Sequence, residues 1–541
     1  MFDTLLTPER IARETAAGHW RGRTITDFLD EHAAASPDKV AFVDSRRSIT
    51  YAELRRLVDR VALGLLERGV GPGDVISFQL PNRIEWVVLH YAATRIGAIS
   101  NPLIPIYRER EVGYMVGLAR SRMVVVPREF RGFDYPEMIE RLRPGWEQPV
   151  DLLVVGEPSW DELVDTAWEE RADPAVLAPL RPDADDVTLL IFTSGTTGEP
   201  KGVMHTHNTM VAANDPLPVR LGITGDSVLH MASTLAHLTG FLYGARLNVQ
   251  NGATCVLQDV WDPAAFVELV AQHRITYTSA ATPFLHDLLD VPDLAEHDLS
   301  SLVRFCCMGA PIPPAVVRAA REALPGLVVV GGWGQTEEGL VTIGIPGDPE
   351  EKIVETDGFP WPGMEIRVVD EHGAVVPART EGALQVRGPF LFVGYAERLD
   401  LTRSLLVPAD DGGEAWFDTG DLAYIDEDGY LRISGRTKDV IIRGGENIPV
   451  AYVENALYEH PAVDAVAIVA TPDPRLQERA CACVVLRPGT ELSFEDLQRF
   501  LAGRGVAKQY WPERLVVLED LPRTPSGKIQ KFQLRDRMAG S

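Results

Sequence analysis

Residues 193–202 have the sequence Thr-Ser-Gly-Thr-Thr-Gly-Glu-Pro-Lys-Gly, and they follow a mostly apolar run at 187–192. The apolar run predicts a buried strand that ends abruptly in a loop. Glycines let such a loop turn its backbone N–H groups toward an anion, and the hydroxyl side chains add further donors. Lys201 adds a positive charge suited to phosphate. The stretch therefore predicts a loop that binds a polyphosphate.

This loop differs from a Walker A motif, which has the pattern Gly-x-x-x-x-Gly-Lys-Ser/Thr. Lys201 stands six residues after Gly195 and is followed by Gly202, so the hydroxyl of that pattern is missing. A polar surface turn has a similar composition, and that alternative stays open for the loop taken alone. The lysine and the preceding strand favour a phosphate site.

The composition is that of an acidic globular protein. The chain has 541 residues and a formal net charge of −26, which predicts roughly three to four structural units and argues against non-specific nucleic-acid binding. No apolar run of about 18 residues predicts a membrane span. The first residues lack the basic-then-apolar layout of a signal peptide. We therefore expect a cytoplasmic protein.

The cysteines carry no metal or disulfide pattern. They are Cys255, Cys306, Cys307, Cys481 and Cys483, and their spacing matches no metal-ligand motif. We interpret all of them as small apolar core residues of a protein in a reducing compartment.

Strand and helix patterns alternate over most of the chain, which predicts a mixed α/β fold with parallel sheets covered on both faces. The predicted strands lie at 75–80, 123–127, 227–232, 254–257, 277–281, 305–309 and 327–331, and the predicted helices at 51–69, 83–96, 263–273 and from Pro314. Residues 143–184 are rich in Pro, Glu and Asp, and we predict a surface-exposed connection there.

The pattern of predicted secondary structure changes at about residue 345. Short β-like segments between Gly/Pro/Asp turns predict a small β-barrel or antiparallel sheet over 345–433. Helix and strand patterns return after residue 436 and continue for about 100 residues, a typical domain size. We therefore predict an N-terminal domain at 1–436, with two parallel-type α/β subdomains and the β-rich part, and a mobile α+β domain at 437–541.

A second motif, Gly-Trp-Gly-Gln-Thr-Glu-Glu at 332–338, follows the predicted strand 327–331. Loops at the carboxyl ends of strands are where α/β proteins bind ligands. Its aromatic ring, hydroxyl and carboxylate suit a purine, a phosphate and a Mg²⁺ ion. Taken alone, the motif also fits a core Trp333 and a solvated acidic edge formed by Glu337 and Glu338.

Three further motifs lie beyond residue 415. Asp421, at a predicted strand start, can bind the hydroxyls of a ribose or cap a turn. The apolar residues 440–442 stand between two charged clusters at the predicted domain boundary, where a simple linker would be polar throughout. A short strand between surface turns is the alternative there. The basic, Pro/Gly-rich loop 522–531 would on its own be a solvated tail segment.

In this order, the motifs resemble the acyl-adenylate-forming superfamily of acyl-CoA synthetases, peptide-synthetase adenylation domains and luciferases. The resemblance covers about residues 25–534 and is closest to bacterial medium-chain and cyclohexanecarboxylate-type acyl-CoA ligases, on the stretches 281–284, 443–448 and 521–528. It implies an AMP-forming ligase of fatty acid metabolism that uses ATP, Mg²⁺ and CoA. The substrate would be an apolar acid of medium size, and the protein a monomer or homodimer.

The resemblance implies a nucleotide site assembled from all the motifs. The loop at 193–201 would hold the β,γ-phosphates, Trp333 would stack on adenine, where the family usually has Tyr, and Asp421 and Arg436 would bind the ribose. The implied ATP/AMP-binding residues are Thr193, Ser194, Gly195, Thr196, Thr197, Gly198, Lys201, Gly309, Ala310, Pro311, Trp333, Gly334, Gln335, Thr336, Asp421, Arg436 and Lys528.

The implied catalytic residues are Lys528, Thr336, Glu337 and His237. Lys528 would bridge the substrate carboxylate and the α-phosphate, Thr336 would contact the α-phosphate, and Glu337 with Thr196 would hold Mg²⁺. His237 would gate an acyl pocket, although a core or surface histidine is the alternative. The remaining implied sites are an acyl pocket at His237, Thr239, Gly240 and Gly332, a hinge at Lys438, and a CoA tunnel at Gly444 and Gly445.

Two other functions stay open. A biosynthetic adenylating enzyme would pass its adenylate to a carrier-protein thiol or a nitrogen nucleophile. A catalytically inactive nucleotide-binding or scaffold protein is disfavoured by the intact set of Lys201, Glu337, Asp421, Arg436 and Lys528.

Overall fold

A computed structural model describes residues 2–193, 200–310, 312–410, 412–443, 446–473, 475–524 and 528–539. No helix in these ranges is long and apolar enough to cross a membrane. The α-helices are Pro8–Ala16, Ile25–Ala35, Tyr51–Glu67, Ile84–Arg95, Glu109–Leu118, Tyr135–Leu142, Pro158–Asp165, His207–Asn214, Pro216–Leu221, Leu238–Tyr243, Leu247–Asn251, Pro263–His273, Thr282–Leu289, Pro314–Ala323, Glu350–Glu355, Leu399–Ser404, Val450–Tyr458, Phe494–Gly503 and Lys531–Ala539.

Local sequence signals fix where helices begin. Thr50 precedes the helix Tyr51–Glu67, and its Oγ1 accepts a hydrogen bond of 3.2 Å from the backbone N–H of Glu53. The Glu53 carboxylate accepts in return from the Thr50 backbone N–H at 2.9 Å. This reciprocal pair satisfies two N–H groups that the first turn of a helix leaves without partners.

A six-stranded sheet carries the 193–202 loop. Its strands, in spatial order, are Lys201–Thr206, Val187–Thr193, Ile99–Pro102, Val75–Phe78, Met123–Pro127 and Asp151–Val155. All neighbours pair in parallel except the first two, which are antiparallel and lie on either side of the 194–199 segment in the chain. Their pairing places Lys201 directly opposite Thr193.

The prediction of a surface-exposed connection over 143–184 is wrong. This segment contributes the edge strand Asp151–Val155 and the helix Pro158–Asp165, and the side chains of Trp160 and Leu163 are buried in the core. The average composition of the segment is polar, and it hides the short apolar run that forms the strand.

A nine-stranded sheet carries the motif at 332–338. Its strands, in spatial order, are Phe359–Pro360, Gly339–Ile343, Val328–Gln335, Arg304–Met308, Tyr277–Ala280, Val228–Met231, Thr254–Leu257, Val40–Val43 and Ser48–Thr50. The six central strands are parallel, as predicted, and antiparallel strands close both edges. The antiparallel turn after Gln335 holds residues 336–338 at the carboxyl end of a parallel strand.

The β-rich part forms a five-stranded antiparallel sheet with the strands Glu365–Val369, Gly382–Arg387, Trp416–Ile425, Leu406–Val407 and Leu431–Arg436. Leu406–Val407 and Leu431–Arg436 both pair with Trp416–Ile425. The pairings described give an open, branched antiparallel sheet, one of the two alternatives that the sequence predicted, and not the small barrel. Trp416–Ile425 begins earlier than predicted, so Asp421 lies in the middle of a strand and not at its start.

The C-terminal domain is smaller and has its own cores. Its sheet contains the strands Glu446–Ile448, Ile441–Arg443, Gln477–Leu486, Val463–Asp473 and Arg514–Val517. The large domain has, in addition to its sheets, a short hairpin that pairs Glu129–Phe130 with Phe133–Asp134. The apolar clusters on the two faces of the C-terminal sheet contain only residues beyond 440. All five cysteines are buried and free, which confirms the prediction made for them. The boundary at 436/437 stays a prediction.

Candidate active site

Asp421 lies at the centre of the candidate site, where the strand register sets it opposite Arg436. Its Oδ2 accepts hydrogen bonds from Trp333 Nε1 at 2.8 Å and from Gln335 Nε2 at 3.0 Å. Its Oδ1 lies 2.9 Å from Arg436 Nε, yet this ion pair lacks hydrogen-bond geometry, and Oδ1 accepts no hydrogen bond from the described residues. A buried carboxylate oriented in this way suits the hydroxyls of a sugar.

Trp333 belongs to both the core and the site. Its ring is 8% exposed and packs within the large apolar cluster, as the core alternative predicted. Its indole N–H nevertheless orients the Asp421 carboxylate. Stacking of this ring on adenine stays a prediction, supported by its position beside the proposed ribose ligand.

Glu337 is held by a tyrosine that the sequence analysis missed. Tyr395 Oη donates a hydrogen bond of 2.6 Å to Glu337 Oε1, and Lys201 Nζ lies 5.0 Å from the centroid of the Tyr395 ring. Burial, aided by Glu337, raises the pKa of Tyr395, so its phenol stays protonated and donates. Tyr395 thus links the lysine of the phosphate loop to the proposed magnesium ligand.

His205 is a second residue without a sequence signal. Burial lowers its pKa to about 4, so the imidazole is neutral and its Nε2–H donates to the Thr336 carbonyl oxygen at 2.7 Å. Its Nδ1 lies 3.2 Å from Thr209 Oγ1. The histidine therefore fixes the backbone that presents the Thr336 side chain.

The alternative of a solvated acidic edge at Glu337 and Glu338 is wrong. Glu337 is 8% exposed and Glu338 is fully buried. Neither carboxyl oxygen of Glu338 has a hydrogen-bond partner with good geometry among the described residues. Burial raises the pKa of Glu338 well above its usual value of 4.5, and the charges of Glu337 and Asp421 raise it further. Its surroundings therefore favour the neutral, protonated form of Glu338.

Lys528 brings the C-terminal domain into the same site. Burial, with a smaller effect of Arg436, lowers its pKa to about 8 against the opposing pull of Asp421 and Glu337. These charges act on one another because they lie close together. The Lys528 backbone is fixed by Thr524, whose Oγ1 accepts from the Lys528 N–H at 3.0 Å.

Three of the predicted acyl-pocket residues, His237, Thr239 and Gly240, lie at the start of the helix Leu238–Tyr243. His237 caps this helix, and its Nδ1 accepts from the Thr239 backbone N–H at 3.3 Å. Burial and the charge of Lys528 lower the pKa of His237 to about 4, so the ring is neutral. A Cβ on Gly240 would lie 2.1 Å from the Thr234 carbonyl oxygen, so only glycine fits there. That these residues line an acyl pocket stays a prediction.

At two other positions, steric or conformational constraints explain why the residue is glycine. A Cβ on Gly332 would lie 2.8 Å from Leu340 Cδ1. Gly309, directly after the strand Arg304–Met308, has a φ of +79°, which favours glycine. The predicted site residues Ser194, Gly195, Thr196, Thr197, Gly198, Pro311, Gly444 and Gly445 lie outside the described residues, as does the side chain of Lys438.

The fold and this group of residues are those of a two-domain enzyme that binds a nucleotide. Comparison with known proteins identifies its family. A model of the "AMP-binding enzyme" family matches residues 29–396, and one of the "AMP-binding enzyme C-terminal domain" matches residues 452–528. The chain therefore belongs to the AMP-binding enzyme family. It is an acid–thiol ligase of the AMP-forming type.

Individual relatives cover nearly the whole chain. It is 37% identical to the medium-chain fatty-acid–CoA ligase of Escherichia coli K12, over 97% of this chain and 92% of that protein. It is 34% identical to a Streptomyces salicylyl-CoA synthase/salicylate adenylyltransferase, over 98% and 97%. The solved structure of the amide bond synthetase McbA from Marinactinospora thermotolerans has a TM-score of 0.83 and 28% identity, over 95% and 99% of the two chains.

Proposed function

We propose that the protein is an ATP-dependent acyl-CoA ligase that activates an uncharged apolar carboxylic acid of medium size, which can be medium-chain, alicyclic or aromatic. It forms an acyl-AMP and then transfers the acyl group to the thiol of CoA. The observation that carries this proposal is the convergence of the motifs on one site: Trp333 and Gln335 donate hydrogen bonds to Asp421. Lys528 of the C-terminal domain is near enough for the charges of Asp421 and Glu337 to act on it. The names of the relatives support the choice of acid and thiol.

In the first step, a carboxylate oxygen of the substrate bonds to the α-phosphorus of ATP, and the bond to the bridging oxygen of pyrophosphate breaks. Negative charge increases around phosphorus, and a cation held in a water-poor site stabilises it. Lys528 supplies that cation, since a pKa of about 8 leaves most of it protonated at pH 7. Thr336 presents its hydroxyl to the α-phosphate on a backbone fixed by His205.

The Glu337 carboxylate fits a Mg²⁺ ion that accompanies ATP. It is a hard oxygen ligand at the site, and Tyr395 orients it through Oε1. Bound there, Mg²⁺ would neutralise charge on the phosphates and the departing pyrophosphate. Thr196, the second metal contact that the resemblance implies, lies in the 194–199 segment outside the described residues.

In the second step, the C-terminal domain turns about Lys438 and withdraws Lys528. The thiolate of CoA then attacks the acyl carbonyl, and the bond to AMP breaks. Gly444 and Gly445 would line the tunnel through which the thiol arrives. Hinge motions of this kind commonly gate enzymes that perform two reactions at one site.

A pyrophosphate-exchange assay with a panel of carboxylic acids tests the activation step. We expect exchange with uncharged apolar acids and little with amino acids or dicarboxylic acids. Adding CoA to the same mixtures should release AMP and form a thioester. Absence of exchange with every acid, measured with correctly folded protein, would contradict the proposal.

A second candidate differs only in the acceptor. The similarity to an amide bond synthetase favours an enzyme that passes its adenylate to a nitrogen nucleophile. Pyrophosphate exchange without thioester formation from CoA, together with amide formation when amines are supplied, would favour this candidate over the ligase.

A further inference from the structure

One surface segment of the C-terminal domain, residues 459–464, contacts two neighbouring helices of the large domain. Asp464 Oδ1 lies 3.8 Å from Nε2 of His286, in the helix Thr282–Leu289. Glu459 Oε1 lies 3.7 Å from Nη2 of Arg318, in the helix Pro314–Ala323. Two contacts between polar side chains, one imidazole–carboxylate and one guanidinium–carboxylate, therefore join the domains at one place, on the arrangement that brings Lys528 into the site.

The two side chains of the large domain, His286 and Arg318, are each held by an acidic residue of that domain. His286 Nδ1 lies 3.2 Å from Oδ2 of Asp290, the residue directly after the same helix, which leaves Nε2 for Asp464. Arg318 Nη1 lies 2.9 Å from Glu355 Oε1, which leaves Nη2 for Glu459. The large domain thus orients both side chains, so little side-chain freedom is lost when the other domain arrives.

On the opposite side of the contact, Arg504 Nη1 lies 2.6 Å from Glu459 Oε2. This pair orients Glu459 within the C-terminal domain, as the acids of the large domain orient His286 and Arg318. Side chains held before the domains meet are a feature of a specific contact, whereas two surfaces that touch by chance have no such supports.

The contact between the domains is weak enough to separate once in every catalytic cycle. Both interdomain distances exceed the range of a hydrogen bond, and the side chains of His286 and Asp464 are 23% and 37% exposed. Ion pairs of this kind change an equilibrium by only a few-fold. A fully buried hydrogen-bonded pair would hold the domains closed and block the second reaction.

We propose that His286 and Arg318 are positioning residues for Lys528. By pairing with Asp464 and Glu459 they favour the domain arrangement in which Lys528 reaches the nucleotide site, and their weakness lets the domain leave for thioester formation. The inference rests on the proposed two-step function. Neither residue is among those that we assign to ATP or the acid, so both act only through the position of the C-terminal domain.

Charge reversal tests this role. His286→Glu should slow the adenylation half-reaction about two- to fivefold, the range of a surface ion pair, while thioester formation from supplied acyl-AMP stays unchanged or becomes faster. Asp464→Lys should have the same effect, and the double variant should recover the adenylation rate because it restores an ion pair of reversed sense. The control is His297→Glu, an exposed position on the large domain, which should change neither half-reaction.

Equal loss in both half-reactions, or no recovery in the double variant, would overturn the proposal. Thermal unfolding of each variant separates a folding defect from a change in domain arrangement. Arg318→Gln tests the second pair, between Arg318 and Glu459. It should slow adenylation and leave thioester formation from supplied acyl-AMP unchanged.

Crosslinking gives a direct measurement. In a variant with His286→Cys and Asp464→Cys, a short bismaleimide should trap the domains, so that the enzyme forms acyl-AMP in a single turnover but makes no thioester. The native cysteines are buried, and wild type treated with the reagent is the control. Normal thioester formation by the crosslinked enzyme would overturn the inference. Failure of untreated wild type to use CoA would instead refute the proposed acceptor, and the adenylation rates of the charge-reversal variants would still decide the role of His286.

Discussion

Tyr395 donates a hydrogen bond of 2.6 Å to Glu337, the carboxylate that we assign to Mg²⁺. The two residues are 58 positions apart in the chain, and the bond connects the β-rich sheet region to the turn after the strand Val328–Gln335. The same tyrosine ring lies below the Lys201 ammonium. One phenol thus supports both the proposed metal ligand and the cation of the phosphate loop.

Replacing Tyr395 with Phe should slow adenylation about 10- to 150-fold, because a hydrogen bond to a charged group contributes about 1.5–3 kcal/mol. Pyrophosphate exchange measured against Mg²⁺ concentration checks this, and higher Mg²⁺ should restore part of the rate. Tyr135→Phe is the matched control, since its phenol donates to the Pro105 carbonyl oxygen away from the site. Equal effects of the two substitutions would contradict a specific role for Tyr395.

Trp333→Phe keeps an aromatic ring but removes the N–H that orients Asp421. We expect the KM for ATP to rise about five- to tenfold, the effect of one lost hydrogen bond of about 1–1.5 kcal/mol. Trp361→Phe is the control, because the buried indole N–H of Trp361 has no hydrogen-bond partner in the described part of the chain. An unchanged KM in Trp333→Phe would mean that Gln335 and Arg436 orient Asp421 without it.

Lys528→Ala should remove ~2–4 kcal/mol of transition-state stabilisation from adenylation and leave thioester formation from supplied acyl-AMP nearly intact. The two half-reactions measured separately check this division. Equal loss in both would exclude the proposed role of Lys528.

The adenylation rate should also depend on pH through Lys528. Its pKa of about 8 means that the ammonium is present below pH 8 and is lost as the pH rises, so the rate should fall above pH 8. Lys528→Arg stays charged at that pH, and in a variant that retains activity the fall should move to higher pH. An unchanged profile in that variant would assign the titration to another group.

Glu338→Gln should stabilise the fold more at pH 8 than at pH 5. The folded-state pKa of Glu338 lies well above the usual 4.5, so its favourable contribution is complete below pH 4.5 and decreases as the pH rises toward the folded-state value. The neutral amide has no such dependence. Urea unfolding of both proteins at the two pH values measures the difference, and a gain that is the same at both would contradict a raised pKa.

Gly445→Trp should block thioester formation and spare adenylation, since the resemblance places this residue on the pantetheine tunnel. Pyrophosphate exchange and thioester release, measured on the same preparation, check the prediction. Normal thioester formation in this variant would refute the tunnel assignment.

Local patterns were sufficient for most elements. The capping box at Thr50 and Glu53, the apolar run before Thr193 and the strand before Gly332 each predict an element that the structure contains. Such signals lie within a few residues of one another, so they need no knowledge of tertiary contacts. The segment 143–184 was misjudged because its overall polarity outweighed the short apolar strand Asp151–Val155 within it.

The motifs of the sequence by themselves determined the family and the order of the domains, and they predict the nucleotide residues, because phosphate, ribose and metal each require particular residue types. Only the tertiary structure brought Tyr395 to Glu337 and His205 to Thr336, buried Glu338, and brought Lys528 within range of the charge of Asp421. These relationships depend on strand register and on domain packing between residues far apart in the chain. A sequence pattern carries residue type and spacing, but not the distance between two side chains that separate elements bring together.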